Sequence, residues 1–265
     1  MAVRRTLTAP KLGSLGRRRI QKRWRCALAS LRGVDRGIGK IYDAVKDAGE
    51  LKKTVFVFVS DNGLLHGQHR LRSGKVLPYE EALRVPLLIR APKRYRGGAP
   101  RVKKVGRVVG NIDLAPTILD LAGARPCSGP GDCRTMDGRS LMRLLKRPGR
   151  WAGRGLLTEY TAGAAGSGRS ASCEFVGIRT SANLYVEHSR VVQPGTMTCV
   201  ADDEYERYNL KRDPFELHNL CFGGSPGSCP NSDTQLDLED RLSRLRNCAG
   251  IAGRDDPVGG RPFCE

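Results

Sequence analysis

The feature that most constrains the fold is an almost uninterrupted apolar run, VFVFV at residues 55–59, which ends abruptly in Asp61, Asn62 and Gly63. A run of β-branched and aromatic residues predicts a strand that is buried on both faces of a parallel sheet. In open α/β sheets, ligands bind outside the carboxyl ends of the strands, so a site is expected at this point. Gly63 allows the backbone to turn away from the strand at once.

Asp61 and Asn62 offer two hard oxygen ligands at the predicted strand tip, which suits Ca²⁺ or Mg²⁺. Lys75, farther along the following loop, supplies a mobile cation, so a metal ion and an ammonium group could bind the same anion. The other interpretation of Asp-Asn-Gly is a simple tight turn, which these residue types often form.

An amphipathic helix is predicted over residues 17–48, and we expect its apolar stripe to pack against the sheet. The stripe consists of Trp24, Leu28, Leu31, Val34, Ile38, Ile41 and Val45, at intervals of three and four. A second buried strand over 85–90 and a helix over 111–122 continue an alternation of strands and helices. Such alternation predicts an α/β fold, with a parallel or mixed sheet and helices on both of its faces.

A stretch rich in Ala, Gly and Ser at residues 161–172 marks a candidate domain boundary. Short strands are predicted after it at 173–180, 183–188, 196–200 and 205–210, followed by a helix at 234–247. We therefore predict three parts: a basic, disordered arm at 1–16, a mixed and mostly parallel sheet sandwiched by helices at 17–160, and a small antiparallel α+β subdomain at 161–265.

The formal net charge of +19 favours partners that carry negative charge. Nine cations and no acid lie in residues 1–25, so this segment could contact nucleic acid, an anionic membrane or a sulfated polymer. No helix-turn-helix, zinc-finger or RNA-binding fingerprint accompanies the charge, so specific nucleic-acid binding is not expected. No apolar run approaches the length of a membrane span, and the N-terminal cations precede no apolar core of a signal peptide.

Nine cysteines favour an oxidising compartment over a reducing one. Their spacing suggests local disulfide bonds in Gly/Pro-rich segments, with Cys26 left over as a buried apolar residue. The suggested pairs are Cys127–Cys133, Cys173–Cys199, Cys221–Cys229 and Cys248–Cys264. The alternative, a zinc site, lacks any Cys-x-x-Cys or Cys/His pair at ligand spacing.

Residues 55–92, VFVFVSDNGLLHGQHRLRSGKVLPYEEALRVPLLIRAP, closely resemble the sulfatase family. The likeness is to arylsulfatases and N-acetylglucosamine-6-sulfatase-like enzymes of the alkaline phosphatase superfamily. It continues in residues 110–123, 136–141 and 206–220, and so extends from about residue 17 to the C-terminus. The resemblance implies hydrolysis of the sulfate ester of a sulfated glycan or small molecule by an exported enzyme.

The resemblance also implies roles for individual residues. Asp61 and Asn62 would bind Ca²⁺, or Mg²⁺, and Lys75 would contact the sulfate and stabilise charge on its bridging oxygen. The family's main catalytic histidine lies in a region that is missing here, so neither His66 nor His69 inherits its role. By their own chemistry, His66 is a candidate catalytic residue and His69 a candidate substrate-binding residue, as donors to the sulfate or general acids, and the alternative for both is a polar loop residue. The other residues considered are expected to be structural. Glu80, Glu81 and Arg84 would organise the loop through ion pairs, and Asp113 and Asp213 would serve as helix-cap and turn residues. His188 and His218 have no companion at metal-ligand spacing and are also expected to be structural.

The sequence departs from the family pattern in one respect. Sulfatases form their formylglycine nucleophile in a C/S-x-P-x-R motif, which does not occur in this sequence, and the family's paired N-terminal aspartates are missing as well. We therefore expect the formylglycine to lie in a missing N-terminal part, and the chain alone to be inactive. The alternatives are a phosphodiester or phosphonate hydrolase of the same superfamily and a non-catalytic polyanion-binding fragment.

Overall fold

The computed structural model describes residues 11–97, 104–129, 132–161, 173–192, 199–221 and 227–265. The helices are α1 (Ser14–Asp47), α2 (Glu80–Leu83), α3 (Leu114–Ala122), α4 (Met142–Lys146) and α5 (Asp233–Asn247). The strands are β1 (Phe56–Val59), β2 (Leu87–Arg90), β3 (Cys127–Gly129), β4 (Asp132–Cys133), β5 (Leu156–Tyr160), β6 (Glu174–Arg179), β7 (Asn183–Val192) and β8 (Cys199–Asn209). The result is a mixed α/β fold.

The strand pairings differ from the prediction of a mostly parallel sheet. Every pairing in the described part of the chain is antiparallel: β1 with β2, β3 with β4, and β5-β6-β7-β8 in a four-stranded sheet. Parallel strands need a crossover connection, usually a helix, that returns the chain to the start of the first strand. The connection from β1 to β2 contains a single 3₁₀ turn at Gln68–Arg70 and the one-turn helix α2, and it returns the chain to the end of β1, where Val59 pairs with Leu87.

The prediction that β1 is buried on both faces is also wrong. Val57 and Phe58 are 40% and 38% exposed, because β1 and β2 form a sheet of only two strands in the described structure. The first part of the predicted arm, residues 1–10, lies outside the described residues, whereas α1 already begins at Ser14.

Helix α1 does not bury its apolar stripe, contrary to expectation. None of its residues is buried, and Trp24 and Ile41 are 48% and 59% exposed. A helix of 34 residues is about 51 Å long, whereas strands of four residues extend only about 13 Å, so the β1–β2 sheet cannot cover it. Cys26, predicted to be buried, is exposed on this helix for the same reason.

No helix among the described residues combines the length and apolar character that a membrane span needs.

The four-stranded sheet forms the centre of the C-terminal part and has apolar side chains on both faces. Ile178 and Tyr185 pack against α5, while Leu184 and Val186 point to the opposite face, as the two-residue period of a strand requires. The predicted strands at 196–200 and 205–210 are one strand, β8, because its pairing with β7 continues past an irregularity between His188 and Arg190. Strand β5 precedes the predicted domain boundary but pairs with β6. Most of that boundary, residues 162–172, lies outside the described residues.

All four predicted disulfide bonds are present, and Cys26 is the free thiol. Cys173–Cys199 joins the residue before β6 to the first residue of β8. Cys248–Cys264 fixes the C-terminal segment beside α5, where both residues belong to the apolar cluster of that helix. Each bridge removes conformational freedom from the unfolded chain and so favours the folded state.

Asp113 connects the start of α3 to the segment that leads into β5. Its side chain is fully buried, accepts hydrogen bonds from the backbone amides of Gly110 and Arg139 at 2.8 Å each, and pairs with Arg154 at 3.0 Å. The predicted capping role is confirmed by the bond to Gly110. The ion pair with the buried Arg154 was not predicted, because the two residues are far apart in sequence.

We expect Asp113→Ala to lower the free energy of unfolding by about 3–5 kcal/mol, because it leaves the guanidinium of Arg154 buried without its partner. Asp120→Ala is the matched control, since Asp120 lies on the exposed side of the same helix, and it should change stability by about 0.5 kcal/mol or less. Urea unfolding of both variants measures the difference. Equal effects of the two substitutions would contradict the stabilising role of Asp113.

Candidate active site at the tip of strand β1

The structure brings together three of the predicted site residues at the carboxyl end of β1. The Nζ atom of Lys75 donates a hydrogen bond to Oδ1 of Asn62 at 3.3 Å. Asp61 is adjacent to Asn62, and its Oδ1 accepts the backbone amide hydrogen of Asn62 at 2.9 Å. A carboxylate, an amide oxygen and an ammonium group therefore lie at one exposed end of the strand.

The backbone around Asp61 and Asn62 is held by local hydrogen bonds. Ser60 donates from Oγ to the carbonyl of Asn62 at 2.9 Å, and Asn62 donates from Nδ2 to the carbonyl of Gly63 at 2.8 Å. Because the amide nitrogen of Asn62 is engaged in this way, its Oδ1 is directed away from the backbone and toward Lys75. A hard carboxylate oxygen and a hard amide oxygen fit the ligand chemistry of Ca²⁺ or Mg²⁺.

Gly63 is required by a close approach of two backbone segments. Its amide donates to the carbonyl of Ala82 at 2.9 Å, and a Cβ atom on residue 63 would lie 2.0 Å from the carbonyl oxygen of Glu81. Leu65 then donates its amide to the carbonyl of Gly74 at 2.8 Å, which closes the loop and places the next residue, Lys75, near the strand tip. Glycine at 63 therefore determines how closely α2 lies to the site.

His66 is half-buried and lies on the side of the loop that faces α1. Its ring contacts Trp24 edge-on, with 4.8 Å between the ring centroids. Its backbone amide donates to the side-chain oxygen of Gln68, which fixes the loop at this position. Among the described residues of the predicted apolar stripe, Trp24 makes a ring contact with a predicted site residue.

His69 has a different environment from that of His66. It is buried, its ring stacks on Tyr79 at 4.1 Å between centroids, and its Nε2 lies 3.6 Å from Oε2 of Glu81. Glu216, from the turn after β8, completes a group in which each residue offers one ligand atom and all three atoms lie within 4.8 Å of one another. The imidazole of His69 therefore faces a pair of carboxylates inside the protein.

The two carboxylates of this group differ in their pKa values. Burial raises the pKa of Glu216 to about 8, and the nearby Glu80, Glu81 and Glu206 add repulsion, although a backbone hydrogen bond from Glu80 opposes the shift. Burial alone would also raise the pKa of Glu81, but the contact with His69 and a backbone hydrogen bond hold it below its ordinary value. One carboxyl group of the pair thus favours the protonated form at neutral pH, whereas the other favours the charged form.

Ion pairs of α2 attach the site loop to the four-stranded sheet, as predicted for the acidic residues of this loop. Glu80 accepts two hydrogen bonds from Arg179 of β6, at 2.9 Å from Nε and 2.8 Å from Nη2. Arg84 lies 4.0 Å from the same carboxylate and is mostly exposed, so it contributes less. The bidentate pair with Arg179 is the specific attachment.

The remaining predicted structural residues have the expected surroundings. Asp213 accepts backbone amide hydrogens from Leu217 and His218, which confirms its turn role. His188 is buried and lies 2.9 Å from Glu206, while the side chain of His218 is 83% exposed beside Asp213. Neither histidine belongs to a group of three metal-ligand side chains in the described part of the chain.

Glu216 was not singled out from the sequence. It lies in residues 213–220, DPFELHNL, within one of the segments that resemble sulfatases, and nothing in its local pattern predicts burial. In the structure, Glu216 has an unusual backbone conformation that it shares with His69: their φ values are 52° and 50°, and positive values are uncommon for residues other than glycine. A sequence alone does not reveal such a backbone conformation in a glutamate.

Comparisons with known proteins identify relatives of this chain among the sulfatases. Residues 9–124 match the family model described as Sulfatase, and residues 67–247 match the model described as N-sulphoglucosamine sulphohydrolase, C-terminal. An N-acetylglucosamine-6-O-sulfatase of Bacteroides thetaiotaomicron is 31% identical over 86% of this chain and 37% of its own length. An extracellular sulfatase SULF-1 homolog of Drosophila melanogaster is 42% identical over 44% of this chain and 10% of its own length.

A solved structure of a protein in complex with its substrate, D-glucosamine-2-N,6-O-disulfate, superposes with a TM-score of 0.60 and 30% sequence identity. The match covers 83% of this chain and 39% of that protein. The chain therefore spans well under half the length of the relatives that it matches, and its fold corresponds to one portion of theirs.

The raised pKa of Glu216 predicts a pH-dependent stability. The folded state keeps the proton between the ordinary pKa of 4.5 and about 8, whereas the unfolded chain loses it, so stability should fall as pH rises through this range. Glu216→Gln mimics the protonated group and should remove this part of the dependence.

The measurement is urea unfolding with divalent cations chelated, between about pH 5 and pH 9, with the exposed Glu159→Gln as the matched control. The stability of the unsubstituted chain should fall relative to Glu216→Gln as pH increases, and it should stay parallel to that of Glu159→Gln. A difference between the unsubstituted chain and Glu216→Gln that does not vary with pH would disprove the assignment.

Proposed function

Because this chain belongs to the sulfatase family, whose named members are sulfuric ester hydrolases, we propose that it supplies the metal- and lysine-bearing part of a sulfate ester hydrolase. The observation that carries this proposal is the contact between Lys75 and Asn62 beside Asp61 at the tip of β1. It brings a cation and two hard oxygen ligands to one exposed position, which is the arrangement that an anionic ester group requires.

Asp61 and Asn62 would hold the divalent cation on which the family generally depends, with Ca²⁺ preferred and Mg²⁺ as the alternative. When bound, this ion supplies positive charge that neutralises the sulfate and polarises its oxygens. The side chains of the protein contribute the rest: Asp61 adds a negative charge that attracts the cation, and the local bonds of Ser60 and Asn62 keep the amide oxygen oriented.

Lys75 would act on the ester oxygen that becomes the leaving group. Its ammonium is exposed and already lies at hydrogen-bond distance from the amide oxygen of Asn62, so it can donate to an anion bound next to that residue. Negative charge develops on the bridging oxygen as the S–O bond breaks, and a fixed ammonium donor stabilises that charge more than it stabilises the ground state.

Of the two loop histidines, His66 is the one to which we assign a contact with the substrate. It is half-buried rather than enclosed, and the edge-on contact with Trp24 orients its ring. A neutral imidazole in this position can donate to a sulfate oxygen or protonate a leaving alcohol. His69 receives no catalytic role, because its ring is enclosed between Tyr79 and the carboxylates.

We propose a sulfated sugar, in particular a sulfated amino sugar, as the substrate class, with aryl sulfates as the alternative. The support is the name of the Bacteroides relative and the glucosamine disulfate bound to the solved protein.

An exported location is supported by the four disulfide bonds and by the extracellular relative from Drosophila. Phosphodiester or phosphonate hydrolysis is not favoured, since the family models and these relatives are named as sulfatases.

We expect the purified 265-residue chain not to hydrolyse a chromogenic aryl sulfate, even with Ca²⁺ and a formylglycine-generating enzyme present. The reason is the absence of a C/S-x-P-x-R motif, without which the residue that becomes the nucleophile is missing. The assay follows release of the phenol against a complete sulfatase as positive control. Turnover that is lost in Asp61→Ala would contradict this expectation and reveal a nucleophile elsewhere in the sequence.

We expect the chain to bind glucosamine 6-sulfate more tightly than glucosamine in the presence of Ca²⁺, and Lys75→Met to weaken only the sulfated ligand. Loss of a hydrogen bond to a charged group should reduce affinity by roughly tenfold or more. Lys52→Met, which removes another exposed lysine, is the matched control and should bind both ligands as the unsubstituted chain does. NMR titration of both ligands provides the affinities.

Equal weakening in the two lysine variants would show that binding depends only on the overall positive charge. That outcome would favour the polyanion-binding alternative over a specific sulfate site.

A further inference from the structure

A second group of potential ligands lies inside the protein, apart from Asp61 and Asn62. It consists of His69 from the site loop, Glu81 from α2 and Glu216 from the turn after β8. His69 is 7% exposed and Glu216 is 2% exposed, while Glu81 is only partly buried. The group therefore joins the loop below the candidate active site to the four-stranded part of the molecule.

Three atoms of this group have no hydrogen-bond partner among the described residues: Nε2 of His69, Oε2 of Glu81 and Oε1 of Glu216. The distance between Nε2 of His69 and Oε2 of Glu81 is 3.6 Å, which is longer than a hydrogen bond. Buried polar atoms are almost always paired, because each one left unsatisfied costs about 1–3 kcal/mol. Three such atoms on three side chains whose ligand atoms lie within 4.8 Å of one another indicate that a further species binds in this group.

The backbone conformation of His69 and Glu216 also indicates that a further species binds in this group. His69 and Glu216 have φ values of 50° and 52°, so two of the three residues adopt the left-handed conformation. Outside glycine this conformation costs free energy and persists where the surrounding structure demands it. Tyr79 stacks on the ring of His69, and the backbone amide of Glu80 donates to Oε2 of Glu216 at 2.9 Å, so both side chains are oriented toward the centre of the group.

We propose that His69, Glu81 and Glu216 form a buried binding site for a divalent cation of the Zn²⁺ class. A neutral imidazole and two carboxylates provide two negative charges, which balance the charge of the ion. The ligand distances of Zn²⁺ are about 2.0–2.2 Å, so tetrahedral donors lie about 3.3 Å apart. The observed 3.6 Å between His69 and Glu81 is close to this value, and the overall spread of 4.8 Å requires a side-chain adjustment on the order of 1 Å.

The donor set distinguishes this site from the one at the tip of β1. Ca²⁺ and Mg²⁺ prefer six or more oxygen ligands, whereas imidazole together with carboxylate suits Zn²⁺ and its first-row neighbours. Three protein ligands leave a fourth position for water on the partly exposed side of Glu81. Because the site is enclosed by Tyr79, we assign it a structural role: it cross-links the site loop to the turn that carries Glu216.

The competing arrangement is a proton shared between the two carboxyl groups. Burial raises the pKa of Glu216, which favours a proton on this carboxyl group at neutral pH, and a bound cation would displace that proton. A proton between Glu81 and Glu216 leaves Nε2 of His69 without a partner, whereas a cation satisfies all three atoms at once. The two arrangements therefore differ in whether the protein takes up metal.

The experiment uses the full disulfide-bonded chain without an affinity tag, in a Cys26→Ser background that removes the exposed free thiol. After treatment with a chelator and its removal, ZnCl₂ is titrated by calorimetry, with MnCl₂ and CaCl₂ for comparison. We expect one equivalent of Zn²⁺ to bind. At a hundredfold excess over Kd, Tm should rise by about 5 °C or more.

Glu216→Gln and Glu81→Gln test the ligands separately. Gln at 216 resembles the protonated carboxyl and can still accept from the amide of Glu80, so the variant is expected to fold. Each substitution should reduce Zn²⁺ affinity by at least tenfold, since loss of even an outer partner of a metal site costs roughly 10–100-fold. Asp61→Ala and His218→Gln are the controls and should keep both the affinity and the rise in Tm, because neither residue belongs to the group.

Failure of the chain to bind one equivalent of Zn²⁺, or affinities that Glu81→Gln and Glu216→Gln leave unchanged, would overturn the proposal in favour of the shared proton. Loss of binding in Asp61→Ala would also overturn it, since the ion would then occupy the strand-tip site. The outcome is independent of the proposed sulfate ester hydrolysis, which concerns Asp61, Asn62 and Lys75.

Discussion

The packing of the site loop on the four-stranded sheet is the interaction on which the rest of this structure depends. One apolar cluster contains residues from both parts: Leu65, Leu77, Tyr79 and Ala82 from the loop and α2, and Phe175, Leu184, Val186 and Tyr208 from the sheet. The bidentate pair of Glu80 with Arg179 lies beside it. Without this contact, Lys75 would have no fixed position relative to Asn62, because β1 and β2 alone form only a small exposed sheet.

The sequence predicted those features that local chemistry determines. The Asp-Asn-Gly tip was predicted because a strand rich in β-branched residues ends there, and the disulfide bonds were predicted because each joins two cysteines that follow one another in the sequence. The antiparallel C-terminal part was found from short strands separated by turns. Features that depend on distant partners were missed: the ion pair of Asp113 with Arg154, and the burial of Glu216. Periodicity shows that a face is apolar but not which element covers it, which explains the error for α1.

Two of the buried groups of charged residues in the described structure differ in how well their charges are compensated. Asp113 has a guanidinium and two backbone amides as partners, so its charge is compensated on several sides. Glu81 and Glu216 have a histidine and single backbone contacts, and three of the polar atoms in their group remain unpaired. A buried carboxylate is tolerated when opposite charge or donors surround it, and otherwise it takes up a proton or another cation. The unpaired atoms beside Asp113 are Nε and Nη1 of Arg154, which are donors and cannot bind a cation, so of these two groups the second is the candidate for a cation.

Helix α1 affects which part of the molecule unfolds locally most easily. A helix with no buried residue gains little from tertiary packing and depends on its own backbone propensity, which Gly33, Gly37 and Gly39 weaken. Its aromatic rings contact the rest of the described structure at Trp24, which meets His66, and at Tyr42, which meets Phe56 and the guanidinium of Arg90. The middle of α1 can therefore exchange its amide hydrogens through local fluctuations of low free energy, while the amides of β7 exchange only when the disulfide-linked sheet unfolds as a whole.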